Sequence, residues 1–358
     1  MNHEPTTPVR VATIRVRIAK DCYGYRPNIA TDSNNTRTDR YGLLRHVVTN
    51  QNMSEELYIR EGRFHKKLGE IEYDFPTYDG IGYPQGTYSF SQRIKDIRHF
   101  AGRSDDVLLA TYPKTGTHWV SEILHMLLTG ETNYIEYEFS RDVTFLPNLN
   151  VLEHQVSPRF LSLHLPYKWF PMSHIKQGGK IVHVTRNPKD TYVSYYHHAV
   201  EALQYGLNTG SMTWNDFFDQ CLMTKNLLFG SWFDYEKEMS LAKKSNKNIY
   251  TIHYELLKKD PEKEIDGLSK FLGVSSNEQL VKDIAVKCQF QTFKSNLQNR
   301  EVHPDISKMV ANMQRKVPNV YRKGIVGDWK NYFTVAQNEL FEEMYEKEMD
   351  GYDVKVIY

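Results

Sequence analysis

The chain reads VLLATYPKTGTHWVSEILHMLL over residues 107–128, and the fold class can be inferred from this stretch outward. It opens with an apolar run, residues 107–110, which ends at the turn-forming residues Tyr112 and Pro113. Over residues 117–128, apolar side chains then recur at helical spacing. These side chains are Val120, Ile123, Leu124, Leu127 and Leu128. The stretch therefore predicts a strand that leads into a helix through a tight loop.

The same order of elements recurs further along the chain. Residues 180–185 are rich in β-branched residues, and Asn187, Pro188 and Asp190 then suit the N-cap, first position and first turn of a helix. Residues 248–253 fit a further strand. A helix near the end is outlined by Ala336, Leu340, Phe341, Met344 and Tyr345. Alternating strands and helices predict a single α/β domain, with a mostly parallel central sheet flanked by helices on both faces.

The first 67 residues differ in composition from the rest of the chain. The first 45 contain eight Arg or Lys against four Asp or Glu, and residues 31–40 are almost wholly polar. Residues 9–18 largely alternate apolar and polar side chains, which fits either a strand or a solvated tail. We therefore expect residues 1–67 to form a partly disordered N-terminal extension and residues 68–358 to form the main domain.

Composition disfavours several classes of protein. The 45 Lys and Arg balance 44 Asp and Glu, which leaves no overall charge to attract nucleic acid or a membrane surface. No stretch approaches the roughly 18 consecutive apolar residues of a membrane span. The cysteines Cys22, Cys221 and Cys288 are too scattered for a zinc site or a disulfide scaffold. We therefore expect a cytoplasmic protein without nucleic-acid or membrane partners.

The loop between the first predicted strand and its helix has the composition of an anion site. The helix behind it presents unpaired backbone N–H groups and the positive end of its dipole. Gly116 lets the backbone approach a ligand, and Lys114 adds a charge. Thr115 and Thr117 add hydroxyl donors. The Walker pattern G-x-x-x-x-G-K-[ST] is absent, which disfavours an ATPase or a kinase.

Three blocks of sequence resemble the cytosolic sulfotransferase family. The octapeptide YPKTGTHW at residues 112–119 resembles its 5'-phosphosulfate loop. RNPKD at residues 186–190, with Ser194 shortly after it, resembles the segment that binds the 3'-phosphate. RKGIVGDWK at residues 322–330 resembles the C-terminal motif that closes over the phosphate. The resemblance covers roughly residues 69–350 and implies a P-loop-like domain.

The resemblance implies an enzyme that transfers a sulfuryl group to a hydroxyl of a small molecule. The donor of this group is 3'-phosphoadenylyl sulfate (PAPS). The products are a sulfate ester and adenosine 3',5'-bisphosphate (PAP), and the acceptor is a phenol, a steroid or another alcohol. His164, in a His-Leu-Pro stretch that resembles the family's catalytic segment, is the expected general base. Lys114 is expected to follow the bridging oxygen as negative charge develops there. Ser194 is expected either to contact the same oxygen or to keep Lys114 away from it until the acceptor arrives.

PAPS carries negative charge at two separated places, so a second anion site is needed beside the loop. The resemblance implies that the donor is held by Lys114, Thr115, Gly116, Thr117, His118, Trp119, Arg186, Ser194, Phe229, Gln291, Phe293, Arg322, Lys323 and Gly324. Some positions depart from the family pattern. Phe229 stands where a Tyr commonly meets the adenine, and His118 replaces a common Thr. Ser162 stands where many relatives place a Lys near the acceptor.

Other segments concern the acceptor and a partner. Residues 330–339, with Lys330 and Glu339 at their ends, resemble the short dimer motif of the family and imply a weak homodimer. Aromatic and apolar side chains suited to a ring-bearing acceptor occur at residues 139–152, 167–170 and 205–212.

Two other functions stay open. A catalytically weak, nucleotide-binding regulatory module would share the fold, and the changes at Ser162, Phe229 and His118 are compatible with it. A phosphotransferase would need the Walker features that are absent. We expect no metal in the chemistry, because no H-E-x-x-H pattern occurs and the adjacent His197 and His198 point to different faces of a helix. No G-x-S-x-G elbow of a serine hydrolase occurs either.

Overall fold

The computed structural model describes much of the chain from residue 59 onward. The described residues are 59–68, 71–83, 89–136, 140–146, 148–207, 212–297, 301 and 321–358, with side chains left out at 66–68, 71–74, 202–207 and 297. All of them belong to one compact unit, Glu56–Tyr358. Up to position 58, the predicted N-terminal extension lies outside the described residues, and its disorder stays a prediction.

The described chain contains both strands and helices, which alternate in its central part. The strands are β1 (Glu61–Leu68), β2 (Ile71–Tyr78), β3 (Ile81–Gly82), β4 (Val107–Thr111), β5 (Phe160–Leu163), β6 (Lys180–Thr185) and β7 (Ile249–His253). The α-helices are α1 (Phe90–His99), α2 (Thr117–Thr129), α3 (Met172–Lys176), α4 (Pro188–Leu207), α5 (Trp214–Phe217), α6 (Trp232–Ser245), α7 (Tyr254–Lys259), α8 (Pro261–Leu272), α9 (Glu278–Lys287), α10 (Phe290–Leu297) and α11 (Val335–Met349). Short 3-10 segments occur at Leu149–His154, Tyr167–Trp169 and Asp328–Asn331, and a π-helical segment occurs at Phe218–Leu222.

The central sheet is parallel, as predicted. Its strand order is β5-β4-β6-β7, and every neighbouring pair runs in the same direction. In this register, Val107 lies opposite Phe160 on one side and opposite Lys180 on the other. The carboxyl ends of β4, β5 and β6 therefore meet at one edge of the sheet, which is where a doubly wound fold places its ligands.

Helices cover both faces of this sheet, which confirms the predicted α/β class. Alternate residues of β4 show why: Leu108 and Ala110 belong to one hydrophobic core, whereas Val107 and Leu109 belong to the other. The second core takes its helix side chains from α2, α7, α8 and α9, and the first takes them from α1, α4, α5, α6 and α11. The apolar face predicted for α2 packs as expected, with Val120 completely buried.

A small antiparallel sheet precedes the main one and was not predicted. Its order is β1-β2-β3, with Glu61 opposite Tyr78 and Leu68 opposite Ile71. Strand β1 starts inside the segment assigned to the extension, because the hairpin depends on pairing with β2 rather than on a strong local apolar pattern. The final helix α11 was predicted, but its buried face centres on Phe341 and Met349, while Leu340 is exposed.

Candidate active site

The loop between β4 and α2 is held in a shape that only particular residues allow. Gly116 has φ of 117° and Lys114 has φ of 72°, so both adopt left-handed backbone conformations. A Cβ atom at Gly116 would lie 2.9 Å from Cδ2 of Tyr254. The Thr115 hydroxyl donates to the carbonyl of Tyr112 at 2.8 Å, so it stabilises the loop itself. The loop therefore presents the N-terminus of α2 with the ring of Tyr254 against it.

His164 directly follows β5, and its ring is fixed by the end of β4. Nδ1 lies 2.9 Å from the carbonyl oxygen of Thr111 and 3.0 Å from the Thr111 hydroxyl. Because a carbonyl oxygen only accepts hydrogen bonds, the neutral ring must carry its proton on Nδ1. Nε2 is then the unprotonated nitrogen. The Thr111 hydroxyl also lies 2.9 Å from the Thr117 hydroxyl, which links His164 to the start of α2.

Asp142 is a buried acid beside His164 that the sequence analysis missed. Its Oδ2 lies 3.6 Å from Nε2 of His164, and its Oδ1 accepts a hydrogen bond from the Thr144 N–H at 3.0 Å. The Thr144 hydroxyl in turn accepts from the His164 N–H at 3.0 Å. Burial raises the pKa of Asp142, while the neighbouring His164 acts in the opposite direction. Nothing in the local sequence pattern marks Asp142, because it meets His164 only through tertiary packing.

Aromatic rings enclose the other side of His164. The ring centroid of Phe229 lies 5.8 Å from that of His164, and the centroid of Phe145 lies 6.3 Å from it. Phe229 also packs edge-on against Tyr83, at 5.2 Å. Ser162 is buried within β5, where its N–H donates to the Arg141 carbonyl at 2.8 Å. An apolar, ring-lined wall therefore adjoins the histidine.

Phe229, which the resemblance assigns to the adenine, lies beside His164, and its contact with the adenine stays a prediction. The ring that packs on Trp119 is that of Tyr254, with a centroid distance of 5.2 Å. The guanidinium carbon of Arg186 lies 4.2 Å from the Tyr254 ring centroid. Tyr254 was missed because a tyrosine at the end of a strand resembles an ordinary core residue in sequence.

Phe293 and Gln291, which are both predicted to bind the nucleoside, lie in different surroundings. Trp119 donates from Nε1 to the carbonyl of Cys288 at 2.8 Å. Phe293 is buried and joins a small cluster with Tyr321, against which Trp119 packs. Gln291 is exposed on α10. Phe293 therefore lies on the Trp119 side of the site, and Gln291 does not contribute to that cluster.

Arg186 connects the loop between β4 and α2, the predicted phosphate loop, to the C-terminal segment at residues 322–330. Its Nη1 donates to the Lys114 carbonyl at 3.1 Å, and its Nη2 donates to the Ile325 carbonyl at 3.3 Å. Its Nε is buried and has no hydrogen-bond partner among the residues that the structure describes, and the same is true of Nε in Arg322. Buried, unpaired guanidinium donors are costly unless an acceptor arrives. They fit an anionic ligand such as a phosphate group.

Buried aspartates hold the C-terminal segment in place. Asp190 accepts hydrogen bonds from the N–H groups of Gly327 at 2.6 Å and Trp329 at 2.9 Å. Asp328 pairs with Arg322 at 2.6 Å and with Lys323 at 2.9 Å. Gly324 has φ of 65°, and a Cβ there would lie 2.1 Å from the ring of Phe290. The predicted phosphate-closing residues thus lie in one fixed segment that also contacts Arg186.

The ion pairs of Asp328 change its titration. Burial acts to raise the pKa of Asp328, but hydrogen bonds from Lys323, Asn331 and Arg322 outweigh burial and lower the pKa to about 2. The folded pKa is thus below the unfolded value of about 3.9, so the pairing stabilises the fold above roughly pH 4 and is lost as pH falls toward 2. The carboxylate is charged at every physiological pH.

Ser194 is half-buried on α4, and Lys114 and His118 are half-buried at the loop. The start of α4 agrees with the prediction: Asn187 accepts a hydrogen bond from the Lys189 N–H at 3.0 Å, and Pro188 is the first helical residue.

Among the described residues, no cluster of His, Cys, Asp or Glu has the arrangement of a metal site. The helices described include none with the length and apolar character needed to cross a membrane.

Comparisons with known proteins identify the family of this chain. The sequence profile of the family described as Sulfotransferase domain matches residues 104–353. Sulfotransferase 1B1 of Canis lupus familiaris is 35% identical over 281 residues, which cover 75% of this chain and 92% of that protein. Cytosolic sulfotransferase 1 of Danio rerio is 35% identical over 283 residues, which cover 74% of this chain and 90% of the relative.

Solved structures give the same result. A crystal structure of mouse sulfotransferase SULT7A1 complexed with PAP aligns with a TM-score of 0.60 and 30% sequence identity. The alignment covers 77% of this chain and 95% of that one. Retinol dehydratase in complex with androsterone and PAP aligns with a TM-score of 0.60 at 20% identity, over 82% of this chain and 91% of the other, which supports the fold alone.

Proposed function

The chain belongs to the cytosolic sulfotransferase family, and from that premise we propose that it sulfates a hydroxyl on a ring-bearing small molecule, with His164 as the general base. Family membership makes it an enzyme that transfers a sulfuryl group from PAPS to small molecules. The acceptor class and the roles of individual residues are the new part of the proposal. Phenols, steroids and similar ring alcohols are the acceptors that the aromatic wall beside His164 suits best.

One observation carries the proposal: Nδ1 of His164 lies 2.9 Å from the Thr111 carbonyl, which leaves Nε2 free of a proton. A neutral imidazole with a fixed tautomer is suited to remove a proton from an acceptor hydroxyl. Asp142, 3.6 Å from Nε2, would stabilise the imidazolium that forms. Phe145 and Phe229 keep the surroundings apolar, which strengthens these electrostatic interactions.

The donor site rests on cationic groups from three segments. PAPS, when bound, supplies the sulfuryl group that is transferred. We assign Lys114 and the N-terminus of α2 to the phosphosulfate end, because Lys114 lies in the loop beside that N-terminus. Arg186, Arg322 and Lys323 would bind the second phosphate, and the unpaired Nε atoms of the two arginines support this assignment.

For the adenine we propose Trp119, Tyr254 and Phe293, with Tyr254 in the place first given to Phe229. Trp119 and Tyr254 pack on each other with a 5.2 Å centroid distance beside Arg186. Aromatic faces of this kind can stack on a nucleotide base whatever its identity. Thr115, Thr117, His118 and Gly324 line the loop and the closing segment, and Ser194 would contact the bridging oxygen.

An activity assay tests the proposed function. The protein is incubated with sulfur-labelled PAPS and a panel of phenols, steroids and aliphatic alcohols, and labelled ester and PAP are quantified. We expect ester formation with ring alcohols and equal amounts of PAP. Calorimetric titration with PAP measures donor binding separately. Tight PAP binding without transfer to any acceptor would contradict the proposal and favour a regulatory module that only binds nucleotide.

We also propose that the chain acts in the cytoplasm and forms a weak homodimer through residues 330–339. The name of the Danio rerio relative, Cytosolic sulfotransferase 1, supports the location, as do the free cysteines Cys221 and Cys288. For the dimer, the supporting observation is Val335, whose surface is 77% exposed at the first turn of α11. An exposed valine flanked by Lys330 and Glu339 suits a small, self-complementary contact.

The Val335→Asp variant tests this contact. We expect it to raise the dimer dissociation constant by about 10- to 100-fold, since two introduced charges would face each other across a twofold axis. Sedimentation velocity over a range of protein concentrations measures the change. Val156→Asp is the matched control, because Val156 is 83% exposed outside the proposed contact. A wild-type protein that stays monomeric at high micromolar concentration would rule the dimer out.

A further inference from the structure

His198 is a residue of α4 to which the proposed function gives no role. It is four residues after Ser194, so the two side chains project from the same face of the helix. Lys114, His118 and His164 are near enough to interact electrostatically with its ring. These groups come from the phosphate loop, the start of α2 and the end of β5, and His198 therefore faces the place where donor and acceptor meet.

The ring of His198 has an unused hydrogen-bonding atom. Its Nδ1 is buried and finds no hydrogen-bond partner within the described part of the chain. The neighbouring His197 provides a contrast, because its Nε2 lies 2.7 Å from the hydroxyl of Tyr332. His197 is thus a satisfied structural residue on another face of α4. A buried polar atom without a partner costs free energy that a ligand atom can recover.

Burial favours the neutral form of His198. It lowers the pKa of the ring well below 6.5, and the charge of Lys114 acts in the same direction. An uncharged imidazole is a poor ligand for a phosphate, but it exchanges hydrogen bonds with a hydroxyl or a carbonyl group. Its partner is therefore on the acceptor rather than on the donor.

We propose that His198 is a specificity-determining residue that hydrogen-bonds a second oxygen substituent of the acceptor. This inference rests on the proposed sulfation of ring alcohols. Within that function, His164 receives the reacting hydroxyl and the rings of Phe145 and Phe229 pack on the acceptor ring. His198 then favours rings with two oxygen substituents over rings with one.

Matched acceptors test the inference. Values of kcat/KM are measured for phenol and for catechol, resorcinol and hydroquinone, with the wild type and with His198→Phe. We expect His198→Phe to lower kcat/KM for at least one of the diols by about 3- to 10-fold, the usual effect of one neutral hydrogen bond, and to leave phenol within about twofold. His198→Asn keeps a polar group and should retain part of the preference.

His197→Phe is the matched control, since it changes the adjacent histidine and should leave the diol-to-phenol ratios unchanged. Thermal unfolding confirms that each variant is folded. Equal losses for phenol and all three diols in both His198 variants would overturn the inference, because that pattern belongs to a structural or general catalytic role. Should the wild type transfer sulfate to no acceptor, the proposed function fails. In that case, calorimetry measures the binding of the three diols to the PAP-bound wild type and to the PAP-bound His198→Phe variant. Equal diol affinities in the two proteins would overturn the inference.

Discussion

The His164→Ala variant is expected to turn over its acceptor roughly 10² to 10⁴ times more slowly than the wild type, because it lacks the base for the acceptor hydroxyl. The remaining groups of the site do not replace this base. Asp142 lies 3.6 Å from the ring of His164, and burial raises its pKa, but its Oδ1 already accepts from the Thr144 N–H. Saturating kinetics with labelled PAPS give kcat for both proteins.

Donor binding separates this role from a structural one. Arg186, Arg322 and Tyr254 belong to other segments of the chain, so PAP affinity of the His164→Ala variant should remain within a few-fold of the wild type. His99→Ala is the matched control, since His99 is exposed on α1 and its Nδ1 lies 2.8 Å from the carbonyl oxygen of Lys95 in the same helix. Wild-type turnover in the His164→Ala variant would remove His164 from the mechanism.

The sequence predicts the phosphate loop well because its signals are local. The apolar run of β4, Gly116 and the helical spacing after it all lie within one short segment, and the structure places each in the expected element. Asn187 and Pro188 similarly start α4 where predicted. Strand β5 was missed, because four residues carry too little pattern and its pairing with β4 joins positions far apart in the chain.

The arrangement of the site depends on contacts that a linear pattern does not contain. Asp142, Asp190 and Asp328 are buried carboxylates that orient His164, the segment at residues 327–329 and the pair Arg322 and Lys323. Sequence reasoning gave the cations their role, since anion binding calls for them, but it did not assign the acids to holding them in place. Tyr254 was not singled out for a similar reason, because only the folded chain shows that its ring packs on Trp119.

Lys114→Met is expected to lower kcat by roughly 10²- to 10³-fold, the range found when a preorganised group that stabilises developing charge is removed. Methionine keeps the apolar stem of the side chain and removes the ammonium group, with its charge and its hydrogen-bond donors. Lys114 occupies the loop at φ of 72°, and Arg186 donates to its carbonyl, so the backbone contacts persist in the variant. Lys176→Met, at an exposed position on α3, is the control for a lost surface charge.

The role of Lys114 follows from comparing two losses in the Lys114→Met variant, the loss in kcat and the loss in PAP affinity. PAP lacks the sulfuryl group, and Arg186, Arg322 and Lys323 would still bind its second phosphate. We therefore expect calorimetry to show a loss of PAP affinity of about tenfold or less, well below the loss in kcat. Equal losses in affinity and in kcat/KM, with kcat unchanged, would make Lys114 a residue for ground-state binding. The developing charge on the bridging oxygen would then have to be stabilised by the N-terminus of α2 and by Ser194.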